Sequence, residues 1–169
     1  MSDTLAARKV WKFGDNIDTD LMLPGPYLWR SPEDRARVVF QANRPGWVDQ
    51  VQKGDAIVAG ANFGCGSSRP AALSIQMCGV GFVLAETING LFFRNAVNFG
   101  LLSFECPGVT AAFEEGDAAE LSVADWIVRN PRTGATLKIK PVPETPLSIM
   151  LGGGVIPLLE KRGLIAKAG

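Results

Sequence analysis

The chain contains 169 residues, which is long enough for one domain with a substantial core and short for two. Its 47% hydrophobic and 20% charged content are typical of a soluble globular protein. The 17 Lys and Arg residues balance the 17 Asp and Glu residues, so no net charge attracts nucleic acid or an acidic membrane surface.

The sequence also lacks the apolar segments that direct a chain to a membrane. Residues 1–10 have no long apolar run of the kind found in signal peptides. The longest apolar stretch, residues 146–159, is interrupted by three glycines and Pro157 and is too short to span a bilayer. We therefore expect a cytoplasmic protein that binds neither membrane nor nucleic acid.

The first third of the chain predicts one strand, one loop and one helix. Residues 10–13 are an apolar run that ends at Gly14, and the Pro- and Gly-punctuated residues 18–28 predict a loop. Ser31 can cap a helix, with proline at the first helical position and acidic residues in the first turn. We expect this helix to run to about Ala42.

The central third alternates strands with helices. Buried strands are predicted at 55–60, 81–85 and 101–104. A glycine-rich turn at 62–68 leads into a helix that ends near Cys78, and Thr87 to Phe99 form an amphipathic helix stopped by Gly100. This alternation predicts an α/β fold with a parallel or mixed sheet flanked by helices.

The last third predicts a hairpin followed by two short helices. Residues 126–129 and 135–140 flank a turn sequence, and Thr145-Pro146 begins a helix that residues 152–154 separate from a final one. No segment has the composition of an interdomain linker. We therefore expect residues 1–169 to form a single domain.

The residues that usually hold metals are scarce. Cys65, Cys78 and Cys106 are widely spaced, without a C-x-x-C pair, and the chain has no histidine. These residues do not supply a structural zinc site, nor most kinds of iron–sulfur site. The commonest general base is also absent. Any chemistry must use a less usual group or be completed by another chain.

The loop at residues 60–69 is the strongest candidate for an anion site. Its three glycines allow a tight turn and close approach to a ligand, and it opens onto a helix start that favours negative charge. Two serines and Arg69 follow, and Arg can hold a carboxylate through two parallel hydrogen bonds. A carboxylate or phosphate site is one interpretation. A capped helix with a structural Arg salt bridge is the other, and the loop alone leaves both open. The loop is neither a Walker loop nor a G-x-S-x-G elbow.

Four segments in the same order resemble one known family. They are Asn16-Ile17-Asp18-Thr19-Asp20 with Pro24-Gly25-Pro26-Tyr27-Leu28; Gly64-Cys65-Gly66-Ser67-Ser68-Arg69 after Gly60-Ala61-Asn62-Phe63; Phe92-Phe93-Arg94-Asn95-Ala96-Val97-Asn98-Phe99-Gly100-Leu101; and Gly152-Gly153-Gly154 with Leu158 and Leu159. Together they span about 150 residues, and they are similar to the swivelling domain shared by aconitases and isopropylmalate dehydratase small subunits.

The resemblance implies a β/β/α swivelling domain that pairs with a large subunit, as a heterodimer or heterotetramer. In this family the large subunit carries a [4Fe–4S] cluster on three cysteines, and its open iron acts as a Lewis acid. No cofactor or metal ligand is then expected in this chain. The implied activity is a hydro-lyase that moves a hydroxyl between adjacent carbons of a 2-hydroxy acid, with 3-isopropylmalate in leucine biosynthesis as the expected substrate.

The resemblance also assigns roles to residues of the glycine loop. Ser67 corresponds to the serine that acts as an alkoxide-type base, and Arg69 to a group that holds a substrate carboxylate and stabilises the serine anion together with loop N–H groups. Ser68 supports the loop, and Asp20 lines the site. Cys65 is expected to be a packed loop residue with an unreactive thiol.

Two places depart from the family pattern. Pro70 and Ala71 stand where a glutamate and a polar residue usually follow, so we expect Arg69 to lose polar contacts there. Trp29 precedes Arg30 where the family usually has the arginine directly, in a loop resembling the one that reads the substrate's side chain. We favour interface or core packing for Trp29 over substrate contact, and leave open whether Arg30 reaches the substrate.

Three other functions remain as alternatives. The first alternative is a hydro-lyase subunit for another substituted malate or citrate-like acid, in which Trp29 and Arg30 change the specificity. The second alternative is a non-catalytic carboxylate-binding module, in which the change at residues 70–71 has removed turnover. A phosphate-binding module is weaker, because no accompanying Lys or ribose-reading acid supports it.

Overall fold

The strands divide between two sheets of different character. The computed structural model describes residues 4–67 and 69–167. Its parallel sheet has the order β2 (Val10–Lys12), β3 (Ala56–Ala59), β4 (Phe82–Ala85) and β5 (Ser103–Glu105). Its antiparallel sheet has the order β1 (Thr4–Ala7), β6 (Ala119–Ser122), β7 (Ile127–Arg129) and β8 (Thr136–Lys138).

Short helices connect and cover these strands. They are α1 (Thr19–Met22), α2 (Pro32–Ala36), α3 (Ala71–Met77), α4 (Gly90–Phe99), α5 (Val109–Ala112), α6 (Glu144–Leu151) and α7 (Val155–Lys161), with 3-10 turns at Gly25–Tyr27 and Trp47–Asp49. Within the described residues, none of these helices has the length and apolar character needed to cross a bilayer.

The parallel sheet is the middle layer of the molecule. All four residues of β3 are buried, and they alternate between two cores. Ile57 belongs to a cluster with the helices and loops on one face, whereas Val58 belongs to a cluster that includes Leu121 and Val128 of the antiparallel sheet. Strands buried on both faces are continuously apolar for this reason. The resulting β/β/α layers confirm the expected fold class, and the strands form two separate sheets rather than one mixed sheet.

The parallel register places three loops at one edge of the middle sheet. The segments that follow β2, β3 and β4 all leave from the carboxyl ends of parallel strands. Phe63, in the second of these loops, forms an isolated bridge with Ile88 in the third. Ligand sites of parallel sheets commonly lie at this edge, and the motifs of the first two loops meet there.

The predicted helix from Pro32 to about Ala42 was too long. α2 ends at Ala36, and the following chain turns so that Phe40 adopts φ 58° and donates its N–H to Met22 O over 3.0 Å. The Phe40 ring lies 4.4 Å from that of Phe13 and 5.0 Å from that of Trp47, centroid to centroid. Burial of this aromatic cluster outweighs the local preference for helix.

Other boundaries differ by a few residues, and four of the strands and α-helices were not predicted. α4 begins at Gly90 rather than Thr87, because the Asn89 side chain caps it by accepting the N–H of Leu91 at 3.0 Å. The predicted hairpin and both C-terminal helices are confirmed. The missed elements are β1, α1, which lies in the predicted loop at residues 18–28, α5 and β6. Each is four residues long, too short for a clear periodic pattern.

A buried carboxylate joins the hairpin turn to the loop before β6. Asp117 accepts hydrogen bonds from Glu114 N at 2.8 Å, Asn130 Nδ2 at 2.8 Å and Arg132 Nη2 at 2.9 Å. The bonds from Arg132, despite the burial of Asp117, hold the pKa of this carboxyl well below its ordinary value. The ionised form therefore stabilises the fold.

Replacing Asp117 with Asn should lower the free energy of unfolding at pH 7 by about 1–3 kcal/mol, because charged hydrogen bonds are lost. Because folding lowers the pKa of Asp117, the stabilisation is fully present above the pKa of an unfolded aspartate, about 3.9. It is lost progressively as the pH falls below that value. Urea denaturation at pH 7, 5 and 3 should show that the difference in the free energy of unfolding between wild type and Asp117→Asn decreases toward pH 3.

The control for this experiment is Asp125→Asn. Asp125 is exposed, and its carboxylate accepts the Ser122 hydroxyl at 2.7 Å. Its replacement should change stability by less than about 0.5 kcal/mol, as is usual at the surface. A gap for Asp117→Asn that stays constant from pH 7 to pH 3 would contradict the assigned ionic role.

Candidate functional site

Backbone hydrogen bonds join the first two loops at the edge of the parallel sheet. Asn16 N donates to Ala61 O at 2.8 Å, Gly64 N to Ile17 O at 2.8 Å, and Thr19 N to Cys65 O at 2.9 Å. The donors alternate between the two segments, as they do between paired strands. The segment containing residues 16–20 is thereby fixed in register along the glycine loop.

Two glycines are required for this close approach. Gly64 has φ 78°, and a Cβ built on it would lie 2.3 Å from Phe92 Cβ, an impossible contact. Gly66 has φ 105°, and its Cβ would lie 3.0 Å from Thr19 Oγ1. Both backbone conformations are rare for residues with side chains. The glycines therefore let the loop pack against α4 on one side and α1 on the other.

Ser67 and Arg69 are brought together at the end of this loop. The Arg69 Nε–H group donates to Ser67 Oγ over 3.1 Å. Ser67 is exposed, so its hydroxyl lies at an open surface. A guanidinium that donates to a serine oxygen favours the anionic form of that oxygen. The Ser67 oxygen thus has a charged hydrogen-bond donor beside it.

Two further contacts hold the Arg69 guanidinium in place. Nη1 donates to Leu23 O over 2.9 Å, and Nη2 forms an ion pair with Asp20. The Arg69 side chain is 19% exposed and that of Asp20 is 67% exposed. Arg69 was expected to lose polar contacts because of Pro70 and its neighbour. It has three such partners, none of them from those two positions.

Hydrogen bonds within the chain occupy two of the N–H groups of the glycine loop. The N–H groups of Gly64 and Ser67 are donated within the chain, to Ile17 O and Thr19 Oγ1. α3 begins only at Ala71, after a turn in which Ala71 N donates to Arg69 O at 2.7 Å. The side chain of Arg69, rather than these N–H groups, is the donor that reaches Ser67 Oγ.

The remaining predicted site residues do not join this group. Ser68 lies outside the described residues. Trp29 is 94% exposed, so the expectation that it packs in the core is wrong, whereas interface packing stays a prediction. Arg30 is exposed, and its N–H donates to Tyr27 O. The loop itself lies near the site, because a Cβ on Gly25 would be 3.8 Å from Arg69 Nη1.

Two other carboxylates near this edge are engaged in the fold. Glu105 accepts the Ile88 N–H at 2.8 Å and pairs with Lys140 at 2.7 Å. Burial would raise the pKa of Glu105, but these hydrogen bonds outweigh it and the pKa is lowered. Glu86 accepts from Gly108 N and from both N–H and hydroxyl of Thr110. Both groups hold loops together rather than face a ligand.

The cysteines have no role in the site beyond packing. Cys65 is half-buried, and its carbonyl oxygen accepts the Thr19 N–H. Burial raises the pKa of Cys78 to about 11, and burial with the nearby Glu86 charge raises that of Cys106 to about 12. Among residues 4–67 and 69–167, no three His, Cys, Asp or Glu side chains are placed to hold a metal ion.

Thr19 is the site residue that sequence reasoning did not single out. Its hydroxyl accepts the Ser67 N–H at 3.1 Å and lies 3.3 Å from Ser67 Oγ. It is 2% exposed. The only signal in the sequence was its position between two aspartates of the N-terminal motif.

Comparison with known proteins gives one consistent result. The family model described as the aconitase C-terminal domain matches residues 33–108, which include the glycine loop. The chain is 41% identical to 3-isopropylmalate dehydratase small subunit 1 of Methanopyrus kandleri over 96% of each chain. It is 42% identical to an isopropylmalate/citramalate isomerase small subunit of Methanocaldococcus jannaschii over 91% of this chain and 93% of that one.

The fold is also similar to a solved structure. The crystal structure of a 3-isopropylmalate dehydratase from Methanocaldococcus jannaschii superposes with a TM-score of 0.88 and 34% identity, over 95% of this chain and 96% of that chain. Sequence similarity along nearly the whole length, the shared fold and the glycine loop agree. The chain belongs to the 3-isopropylmalate dehydratase small-subunit family of aconitase-type hydro-lyases.

Proposed function

We propose that this chain is the small subunit of an iron–sulfur-dependent hydro-lyase that interconverts 3-isopropylmalate and 2-isopropylmalate in leucine biosynthesis. The observation that carries the proposal is the pair at the open edge of the parallel sheet. There Ser67 Oγ accepts a hydrogen bond from Arg69 Nε at 3.1 Å, and Arg69 is anchored by Asp20 and by Leu23 O. The names of the relatives described above support the reaction.

Ser67 has the role of the base. As an alkoxide it takes the proton from the carbon next to a carboxylate, and the C–H electron pair becomes the double bond as hydroxide leaves the adjacent carbon. Hydroxide then adds to the carbon that lost the proton, and Ser67 returns its proton to the other carbon. The hydroxyl has moved by one position, and Ser67 is again an alkoxide.

Arg69 has two roles in this scheme. Its Nε–H group stabilises the Ser67 oxygen, while the outer part of the guanidinium holds a substrate carboxylate. Asp20 orients the guanidinium through their ion pair and lines the site. Ser68 supports the loop, and Arg30 in the neighbouring loop is available to the substrate's side chain. These assignments extend the family motif to this chain residue by residue.

We further infer that the cofactor is carried by a large subunit. The described residues offer no metal-binding group, and relatives are named as small subunits, which supports a [4Fe–4S] cluster on the partner. The assembly is a heterodimer or heterotetramer in the cytoplasm. One hydrophobic cluster contains residues of both sheets, which supports a single domain over residues 1–169.

A second candidate substrate is another substituted malate or citrate-like acid. One relative, 42% identical to this chain, is named for both isopropylmalate and citramalate. The site described here recognises a carboxylate and the carbon beside it, which these acids share. The loop with Trp29 and Arg30 is then the place where substrates are distinguished.

Replacement of Ser67 tests the proposed base. The chain is co-expressed with the large-subunit homologue of the same genome, the cluster is reconstituted anaerobically, and absorbance of the unsaturated acid is followed with a panel of 2-hydroxy acids. Ser67→Ala should lower kcat by about 10²- to 10⁴-fold, the usual contribution of a general base, with a smaller change in KM. Ser148→Ala, which removes an exposed hydroxyl bonded to Thr145 O, should retain full activity.

The same assay separates the possible outcomes. Full activity of Ser67→Ala would refute the assigned base. Turnover of an acid other than 3-isopropylmalate by the wild type would keep the mechanism and change the substrate. Carboxylate binding without turnover of any acid, in a complex with an intact cluster, would indicate the non-catalytic binding module.

Arg69→Lys keeps the positive charge but removes the planar group that serves Ser67, Leu23 and Asp20 together. Loss of one preorganised donor to a reacting oxygen typically costs 10²- to 10³-fold in kcat, and we expect about this loss with a raised KM. Steady-state kinetics of the reconstituted complex measure both constants. Arg129→Lys, in an exposed pair with Glu120, serves as control, and equal effects of the two substitutions would contradict the proposal.

Trp29→Ala should weaken association with the large subunit. The Trp29 side chain is 94% exposed in the isolated chain, so covering it at the interface would bury a large apolar surface that alanine lacks. Calorimetric titration should show Kd raised about tenfold or more, with the melting temperature of the isolated chain unchanged. Leu164→Ala, at another exposed apolar residue, is the control. An unchanged Kd with altered preference among substrates would assign Trp29 to substrate contact instead.

A further inference from the structure

We propose that Thr19 is a positioning residue for the Ser67 base, an inference that rests on the function proposed above. Thr19 is the first residue of α1, and its side chain is 2% exposed. Its hydroxyl makes two contacts with Ser67. It accepts the Ser67 backbone N–H at 3.1 Å and lies 3.3 Å from the Ser67 side-chain oxygen. The buried Thr19 hydroxyl therefore contacts the exposed Ser67 hydroxyl.

Either hydroxyl can donate in the second contact, and loss of the Ser67 proton fixes its direction. A threonine hydroxyl has one proton and two lone pairs. The Ser67 N–H occupies one lone pair of Thr19 Oγ1, while the proton of Thr19 remains free to be donated to Ser67 Oγ. Arg69 Nε–H donates to the same Ser67 oxygen at 3.1 Å. When Ser67 is an alkoxide, which can only accept hydrogen bonds, two donors of this chain therefore converge on its oxygen.

This arrangement has a consequence for the Ser67 proton. When Thr19 and Arg69 both donate to Ser67 Oγ, the serine's own proton points away from these two donors. When that proton is lost, the anion keeps both donors without any rearrangement. Preorganised donors of this kind lower the energy of an oxyanion more than mobile water does.

The backbone holds Thr19 rigidly enough for this role. Its N–H donates to Cys65 O at 2.9 Å, and the preceding Asp18 caps α1 by accepting the Leu21 N–H at 2.8 Å. Gly66, without a side chain, leaves room for the Thr19 hydroxyl, since a Cβ there would lie 3.0 Å from it. The backbone of Thr19 is therefore held in a fixed position along the glycine loop.

Thr19→Val tests the inference, because valine keeps the shape of threonine and removes its hydroxyl. In the reconstituted complex with the large subunit, we expect kcat to fall about 10- to 100-fold, below the 10²- to 10³-fold typical of a full oxyanion donor because this contact is longer. KM should change less than threefold. The limb of the kcat profile that reports ionisation of the base should move to higher pH by about one unit.

Two matched variants separate positioning from packing. Thr19→Ser retains the hydroxyl and should recover kcat to within about threefold, together with the wild-type pH profile. Thr110→Val removes a threonine hydroxyl that donates to Glu86 at 2.7 Å and is bonded to neither Ser67 nor Arg69, and it should leave kcat and the pH profile unchanged. Melting temperatures of the isolated chains establish that each variant is folded.

The inference is overturned if folded Thr19→Val has wild-type kcat and pH profile, or if Thr19→Ser is as impaired as Thr19→Val. Ser67→Ala, assayed in parallel, distinguishes this failure from failure of the proposed function. An inactive Ser67→Ala beside a fully active Thr19→Val rejects only the role of Thr19. An active Ser67→Ala rejects the base itself.

Discussion

The site depends on the alignment of the N-terminal segment with the glycine loop. Hydrogen bonds from Asn16 to Ala61, from Gly64 to Ile17 and from Thr19 to Cys65 set this alignment. Apart from the start of α1 at Thr19, the two segments have no regular secondary structure along the contact, so each would lose these backbone partners without the other. A shift by one residue would separate the Thr19 hydroxyl from Ser67. The placement of an exposed serine beside Thr19 and Arg69 thus depends on main-chain pairing between positions 45 to 47 residues apart.

The same alignment connects the site to the core. Gly64 packs against Phe92 without room for a methyl group, and the ring of Phe92 lies 5.2 Å from that of Phe63. Phe92 belongs to α4, which covers one face of the parallel sheet. Close-packed interiors transmit small displacements, because side chains have little free volume into which to move. The position of the glycine loop is therefore determined by the packing of α4.

The sequence predicted the middle layer well and the periphery poorly. The strands and helices between residues 55 and 105 were identified because each is a continuous apolar run or a full amphipathic period. α2 was predicted too long because burial of Phe40 depends on Phe13 and Trp47, which are remote in sequence. The family motif identified Ser67 and Arg69 as candidates, but no local pattern shows that Asp20 and Leu23 O hold the guanidinium or that Thr19 contacts Ser67. Those contacts follow from tertiary alignment.

The exposure of Ser67 explains why such a site belongs to one chain of a pair. A serine anion in contact with bulk water gains little from fixed donors, because water competes for the same oxygen and screens the nearby charge. Asp20 is likewise mostly exposed, so in the isolated chain its pair with Arg69 adds little stability. Both interactions become stronger when a second surface covers them and excludes water. We infer that the small subunit supplies a preformed half-site, and that the covering surface of the large subunit makes Ser67 an effective base.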